Sequence, residues 1–158
     1  MYIPESIRET HMPATNSSTC TCFHLRRAAR MVSQVYDREL AAVDLSLNEY
    51  SILRHASRGP CLLGELADAL GMERTTLTRN LRPLIDAGWV KETRGEDARQ
   101  RVISLTASGS KRIARALPFW QRAQQQIDAL YGDARTERLR GDLEQLNLAL
   151  RGQVDATT

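Results

Sequence analysis

Apolar residues recur along this chain mostly at helical spacing, with one interruption. Between Ser18 and Ala42, residues Leu25, Ala28, Ala29, Val32, Tyr36 and Leu40 follow one another at steps that predict a long amphipathic helix. Asn48 to Ser57, carrying Tyr50, Ile52 and Leu53, predicts a second, which Arg58-Gly59-Pro60 breaks. Leu66, Ala67 and Leu70 mark a short helix that Gly71 stops, because glycine takes the left-handed conformation a helix end needs. Leu77, Leu81, Leu84 and Ile85 then form the core stripe of another helix. Pro83 lies inside that helix and removes its hydrogen bond to the Arg79 carbonyl. Beyond Gly88 the period changes. Trp89 to Arg94 and Arg101 to Leu105 read as two strands joined by a turn at Gly95-Glu96-Asp97-Ala98. Helical spacing returns after Thr106, a suitable N-cap, and runs past Pro118 to Tyr131 and Gly132. A last helix carries Leu139, Leu143, Leu146 and Leu150 in a coiled-coil-like seam.

The polar face of the helix after Gly71 carries the chemistry. A rotation of about 100° per residue sets Thr75, Thr76, Arg79 and Arg82 opposite the leucine stripe, with Arg74 in the first turn. That face has hydroxyl donors and cations but no carboxylate, and a helix of this width fits the major groove of DNA. The hairpin presents Arg94, Arg99 and Arg101 near its tip, and a narrow minor groove attracts an inserted arginine. Asp97, two residues before Arg99, is placed to orient the Arg99 guanidinium by a charge-assisted hydrogen bond.

The stretches LADALGMERTTLTRNLRPLIDAGWV and GEDARQRVISLTASG resemble the MarR family of bacterial winged helix-turn-helix regulators. The resemblance extends from about Cys22 to Leu150. The family's wing motif falls on Asp97, Arg99, Leu105 and Thr106. It implies that Arg99 is a minor-groove finger and that Thr75, Thr76, Thr78 and Arg79 contact the groove. Glu73 departs from the serine-like residue usual at the start of that helix and is a poorer N-cap. The expected architecture is mainly α: a winged helix-turn-helix domain with a two-stranded β wing over residues 46–106. Helices at 18–45 and 107–152 serve dimerisation, and residues 1–17 form a flexible arm. The terminal helices need a surface on which to bury their stripes. The resemblance implies a two-fold dimer on a pseudo-palindromic operator, whose half-sites lie about 34 Å apart. The alternative is that they close a larger monomer core.

Composition changes this picture little. The chain has 158 residues and a net charge of +3, too small to argue for nucleic acid alone. Lys91 and Lys111 are the only lysines, leaving 20 of 22 basic residues as arginine, the better bidentate ligand for phosphate and guanine. A GC-rich genome produces the same bias. No apolar run approaches the roughly 20 residues of a membrane helix and no signal peptide is evident, so a cytoplasmic protein is expected. Three cysteines, Cys20, Cys22 and Cys61, make no disulfide framework. No catalytic motif or phosphate loop is present, and neither an enzyme nor a cofactor is expected.

Three kinds of input to a regulator have candidate residues in the chain. A small aromatic or phenolic ligand, of the kind MarR-type proteins bind between dimer helices and winged domain, would be lined by Phe23, Arg26, Arg30, Tyr36, Phe119 and Trp120. A thiol switch at Cys22, near Arg26, resembles the peroxide-sensing branch of the family, although that branch has a second tyrosine where Arg26 stands. A metal at Cys20, Cys22 and His24 is disfavoured, because alternate residues of a helix point apart. A winged-helix adaptor that binds protein is the competing class, and the Thr and Arg face argues against it.

Overall fold

The computed structural model describes residues 19–97 and 99–155; the expected N-terminal arm lies outside them. The elements follow in the order α1 (Thr21–Leu40), a 3-10 turn (Ala41–Val43), α2 (Leu47–Ala56), β1 (Cys61–Leu62), α3 (Leu63–Leu70), α4 (Arg74–Asp86), β2 (Val90–Arg94), β3 (Arg101–Leu105), α5 (Ala107–Tyr131) and α6 (Asp133–Asp155). The two expected wing strands form, as β2 and β3, and a third strand that the pattern did not predict joins them. The three lie in the order β1-β3-β2, all antiparallel, with Cys61 opposite Ile103 and Leu62 opposite Val102. Two residues are too few to show alternation, and β1 exists only because the fold brings it to the free edge of β3.

Local chemistry explains most boundaries. Ser46 and Glu49 form a capping box at α2: the Ser46 hydroxyl accepts from the Glu49 amide, and the Glu49 carboxylate accepts from the Ser46 amide. Gly71 ends α3 in the left-handed region at φ 62°, as its position predicts. Helix α4 runs through the exposed Pro83 to Asp86, and Glu73 makes no side-chain cap there. Thr106 caps α5 by accepting from the Gly109 amide at 3.0 Å.

The core lies between α2, α3, α4, the sheet and the first half of α5. Leu40, Ile52, Leu53, Leu66, Leu77, Leu81, Leu84 and Ile103 are fully buried in it. Leu77, Leu81 and Leu84 are the predicted stripe of α4, with Ile85 half-buried beside them. Helix α1 lies along α5. Ala116 and Ala123, both fully buried, allow close approach. Glu39 binds Arg122 and Gln126 across this seam, and the Tyr36 hydroxyl donates to Gln124 at 2.6 Å. Trp120 stacks on Tyr50 and lies tilted against Tyr36, joining α1, α5 and α2. Away from this core, Met31, Leu130, Tyr131, Leu139, Leu148 and Leu150 are exposed, Leu130 by 81%.

Candidate nucleic-acid interface

Helix α4 stands on the surface with its leucines inward. Arg74, Thr75, Arg79 and Arg82 are exposed along the opposite side, and Thr76 is partly exposed. Thr78 is partly covered, and its hydroxyl donates to the Arg74 carbonyl at 2.8 Å, so this group is committed within the helix. Asn80 reaches the Met72 sulfur and steadies the turn between α3 and α4.

The wing differs from its expected geometry in two respects. Asp97 does not hold the Arg99 guanidinium. Its carboxylate accepts from the Arg99 backbone amide at 2.9 Å, while the Asp97 carbonyl accepts from Gln100 and the Gln100 carbonyl from Gly95. Asp97 shapes the turn, as aspartate does when its side chain bonds backbone two residues on, and leaves the exposed Arg99 side chain for other partners. Arg101 is not a free tip cation either. It faces Arg94 across the hairpin and makes a bidentate ion pair with Glu92, at 2.7 and 2.6 Å. That pair lies on one face of the sheet, since Glu92 and Arg94 are two residues apart. The Glu92 contact raises the Arg101 pKa further, chiefly through the hydrogen bond. Arg94 and Arg99 are exposed and in none of the three ion pairs among the described residues.

Tertiary structure brings one arginine of α4 and two of the wing to the same cavity. Arg74, Arg99 and Arg101 line a space of about 320 Å³ together with Gly64, Glu65 and Asp68 of α3. Gly64 makes this possible. A Cβ built there would stand 2.9 Å from Nη2 of Arg74, so the guanidinium lies where any other side chain would begin. Nothing in the periodicity marks Gly64 for this role, because its partner is ten residues on.

Of the residues expected to form an effector site, Tyr36 and Trp120 are brought together, and those on the first half of α1 lie apart from them. Cys22, Phe23, Arg26 and Arg30 are exposed on the first half of α1, with Phe23 edge-on to His24. Tyr36 lies about 21 Å further along the same helix, fourteen residues at 1.5 Å each. Phe119 sits under the Arg122 guanidinium. Trp120 borders a cavity of about 240 Å³ between α2 and α5, where its companions are Tyr50, Ser51, Arg54, His55 and Leu117. The first half of α1 is exposed on every face from Thr21 to Val32, so no described element of the same chain packs against Arg26 or Arg30. Among the described residues no group of three or more histidine, cysteine or acidic side chains is placed to hold a metal. No helix among them is long and apolar enough to cross a membrane.

Comparison with known proteins agrees with this geometry. Residues 43–100, from the α1–α2 elbow to the wing, match the MarR family. The Mycobacterium tuberculosis transcriptional regulator MosR, solved in complex with DNA, is 38% identical over 84% of this chain and 97% of its own, with a TM-score of 0.76. The chain belongs to the MarR family. That family comprises winged-helix transcriptional regulators, not enzymes. The repressor CouR of Rhodococcus jostii, bound to a 23-mer DNA duplex, is 25% identical with a TM-score of 0.73, covering 80% of this chain and 92% of its own. YwoH, an uncharacterized HTH-type transcriptional regulator of Bacillus subtilis, is 28% identical over 89 residues, 56% of this chain. The match spans 65% of that curated relative's length.

Proposed function

We propose that this MarR-family chain is a homodimeric transcriptional repressor of the cytoplasm that binds a pseudo-palindromic site on double-stranded DNA. The carrying observation is the outer face of α4, where Thr75, Arg79 and Arg82 are exposed and Asp86 at the far end is the one carboxylate, next to a cavity that Arg74 and Arg99 both line. Thr75, Arg79 and Arg82 are the major-groove contacts, with Thr76 at their margin. Arg99 enters the minor groove, and Arg74 and Arg94 neutralise flanking phosphates. Arg101 acts through Glu92 to stiffen the hairpin, and Thr78 by bonding within α4. The exposed apolar residues of α1 and α6 and of the end of α5 support the dimer, because a monomer would leave Leu130, Leu139, Leu148 and Leu150 in water.

The test uses duplex DNA selected by the wild-type protein from a random-sequence library. Arg79→Ala should weaken binding to the selected duplex by about 1–3 kcal/mol with relaxed sequence preference. Arg99→Ala should reduce affinity and lower the slope of log affinity against log salt by about one unit. Failure to select any duplex, or unchanged affinity and slope in both variants, refutes the reading.

Release by a small aromatic or phenolic acid is the favoured input. The supporting observation is the cavity between α2 and α5, where Trp120 and Tyr50 offer rings and Arg54 a cation for a carboxylate. Thermal shift with substituted benzoates and cinnamates, repeated on Arg54→Ala, tests it. Loss of DNA binding on hydroperoxide treatment that is abolished in Cys22→Ser, with no aromatic acid effective, would assign the input to the thiol instead.

A further inference from the structure

Arg112 is a partly buried cation without a carboxylate partner. It stands on the second turn of α5 and enters none of the three ion pairs among the described residues. Its Nη2 donates to two carbonyls, of Val43 and, at 3.1 Å, of Asp44. Its guanidinium carbon lies 4.5 Å from the centre of the Trp89 ring. Its Nε is buried with no hydrogen-bond partner. An arginine held this way costs desolvation that two carbonyls and a ring offset only in part, so bulk stability does not account for it.

What it touches gives a better account. Val43 and Asp44 form the elbow between α1, the arm assigned to the dimer, and α2, the first helix of the winged domain. Asp44 has φ 50°, the one non-glycine residue with positive φ among the described residues. Trp89 joins the recognition helix to the wing. Its amide donates to Leu84 of α4, and its carbonyl accepts from the amide and hydroxyl of Thr106 at the start of α5. Arm, recognition helix and wing therefore meet at one guanidinium.

We propose that Arg112 is a positioning residue that fixes the angle between the dimerisation arm and the recognition helix, and so the half-site spacing the dimer accepts. This rests on the DNA-binding dimer proposed above. The leverage is adequate: α1 has 20 residues and is about 30 Å long. A turn of about 6° at the elbow moves the end of such an arm by ~3 Å, close to the ~3.4 Å rise of one base pair.

The experiment compares the wild-type-selected duplex with derivatives carrying one base pair inserted or removed at the centre. Arg112→Met keeps the stem over Trp89 and removes the donors; Arg112→Lys restores charge and a donor. Light scattering and urea titration establish that each variant is a folded dimer. In Arg112→Met, affinity for the selected duplex is expected to fall about tenfold and affinity for the altered duplexes less than threefold, with Arg112→Lys between. A merely structural role would lower all affinities together, and an unchanged ratio overturns the proposal. Asp44→Gly, which loosens the same elbow without removing the buried cation, should shift the ratio in the same direction. A DNA-free measurement separates this proposal from the DNA-binding reading. With Cys20, Cys22 and Cys61 replaced by serine and nitroxides at position 82 of both protomers, pulsed electron resonance should give a broader distance distribution in Arg112→Met. Equal widths overturn the proposal whether or not the protein binds DNA.

Discussion

Gly109→Ala offers a sharp test of how α5 docks on the winged domain, because the helix start rests directly on backbone. A Cβ at position 109 would lie 2.1 Å from the Trp89 carbonyl oxygen and 2.7 Å from Cδ1 of Leu105. Relieving that overlap requires the first turn of α5 to lift by about 1 Å, since non-bonded atoms need more than 3 Å between centres. Overpacking of this kind costs roughly 1–3 kcal/mol. The lift also stretches two hydrogen bonds, from the Thr106 amide to Trp89 at 3.0 Å and from the Thr106 hydroxyl to Gly88 at 2.7 Å. Each is worth about 0.5–1.5 kcal/mol. Alanine returns about 1 kcal/mol of helix propensity. The net is a loss of about 3 kcal/mol, which for a chain of this size lowers Tm by roughly 6–12 °C. Gly141→Ala is the internal control. It lies within α6 with nothing inside 4 Å of its Cβ position, on the side away from the leucine seam, and should stabilise by about 0.5–1 kcal/mol. Urea titrations at equal protomer concentration measure both. Gly109→Ala as stable as wild type would refute the close-approach argument.

Other expectations follow from the same geometry. Gly64→Ala meets only the flexible end of Arg74, so urea midpoints should change little while DNA affinity falls and the salt slope loses up to one unit, read by fluorescence anisotropy. Glu92→Gln removes the carboxylate that holds Arg101; binding to non-specific duplex should tighten and its salt slope steepen by up to about 0.9, and a weaker complex would contradict the role given to this pair. Burial raises the Tyr36 and Tyr50 pKa above 10.0, with Asp128 adding to the rise at Tyr36. The folded state therefore holds these protons more tightly than the unfolded one. The stability they contribute is full below about pH 10 and is lost as pH rises through the folded values. Urea midpoints between pH 9 and 11 should fall less steeply in Tyr50→Phe than in wild type.

Much of the winged domain was legible from periodicity because its elements are amphipathic and locally capped. The leucine stripe of α4 had one way to face a core, which set Thr75, Arg79 and Arg82 outward whatever surrounded them. Gly71 and Thr106 acted through their own backbone neighbours, so their roles could be read within a few residues. Tyr36 meets Trp120, while Cys22, Phe23, Arg26 and Arg30 stand exposed on α1, because an amphipathic pattern says that a face is to be covered and not by what. What only the tertiary structure decided involves residues far apart in the chain whose meeting depends on chain reversal. Strand β1 has no pattern of its own and exists by pairing with a strand some forty residues later. Charge and spacing point Asp97 and Arg101 toward DNA, yet the turn claims the first through a backbone amide and cross-strand register delivers the second to Glu92. Gly64, Gly109 and Arg112 carry no periodic signal, since their importance lies in the space beside them. Amphipathic order along the chain sufficed to set the recognition surface outward; packing between distant segments determined which of its charges stay free and how the arm is held against it.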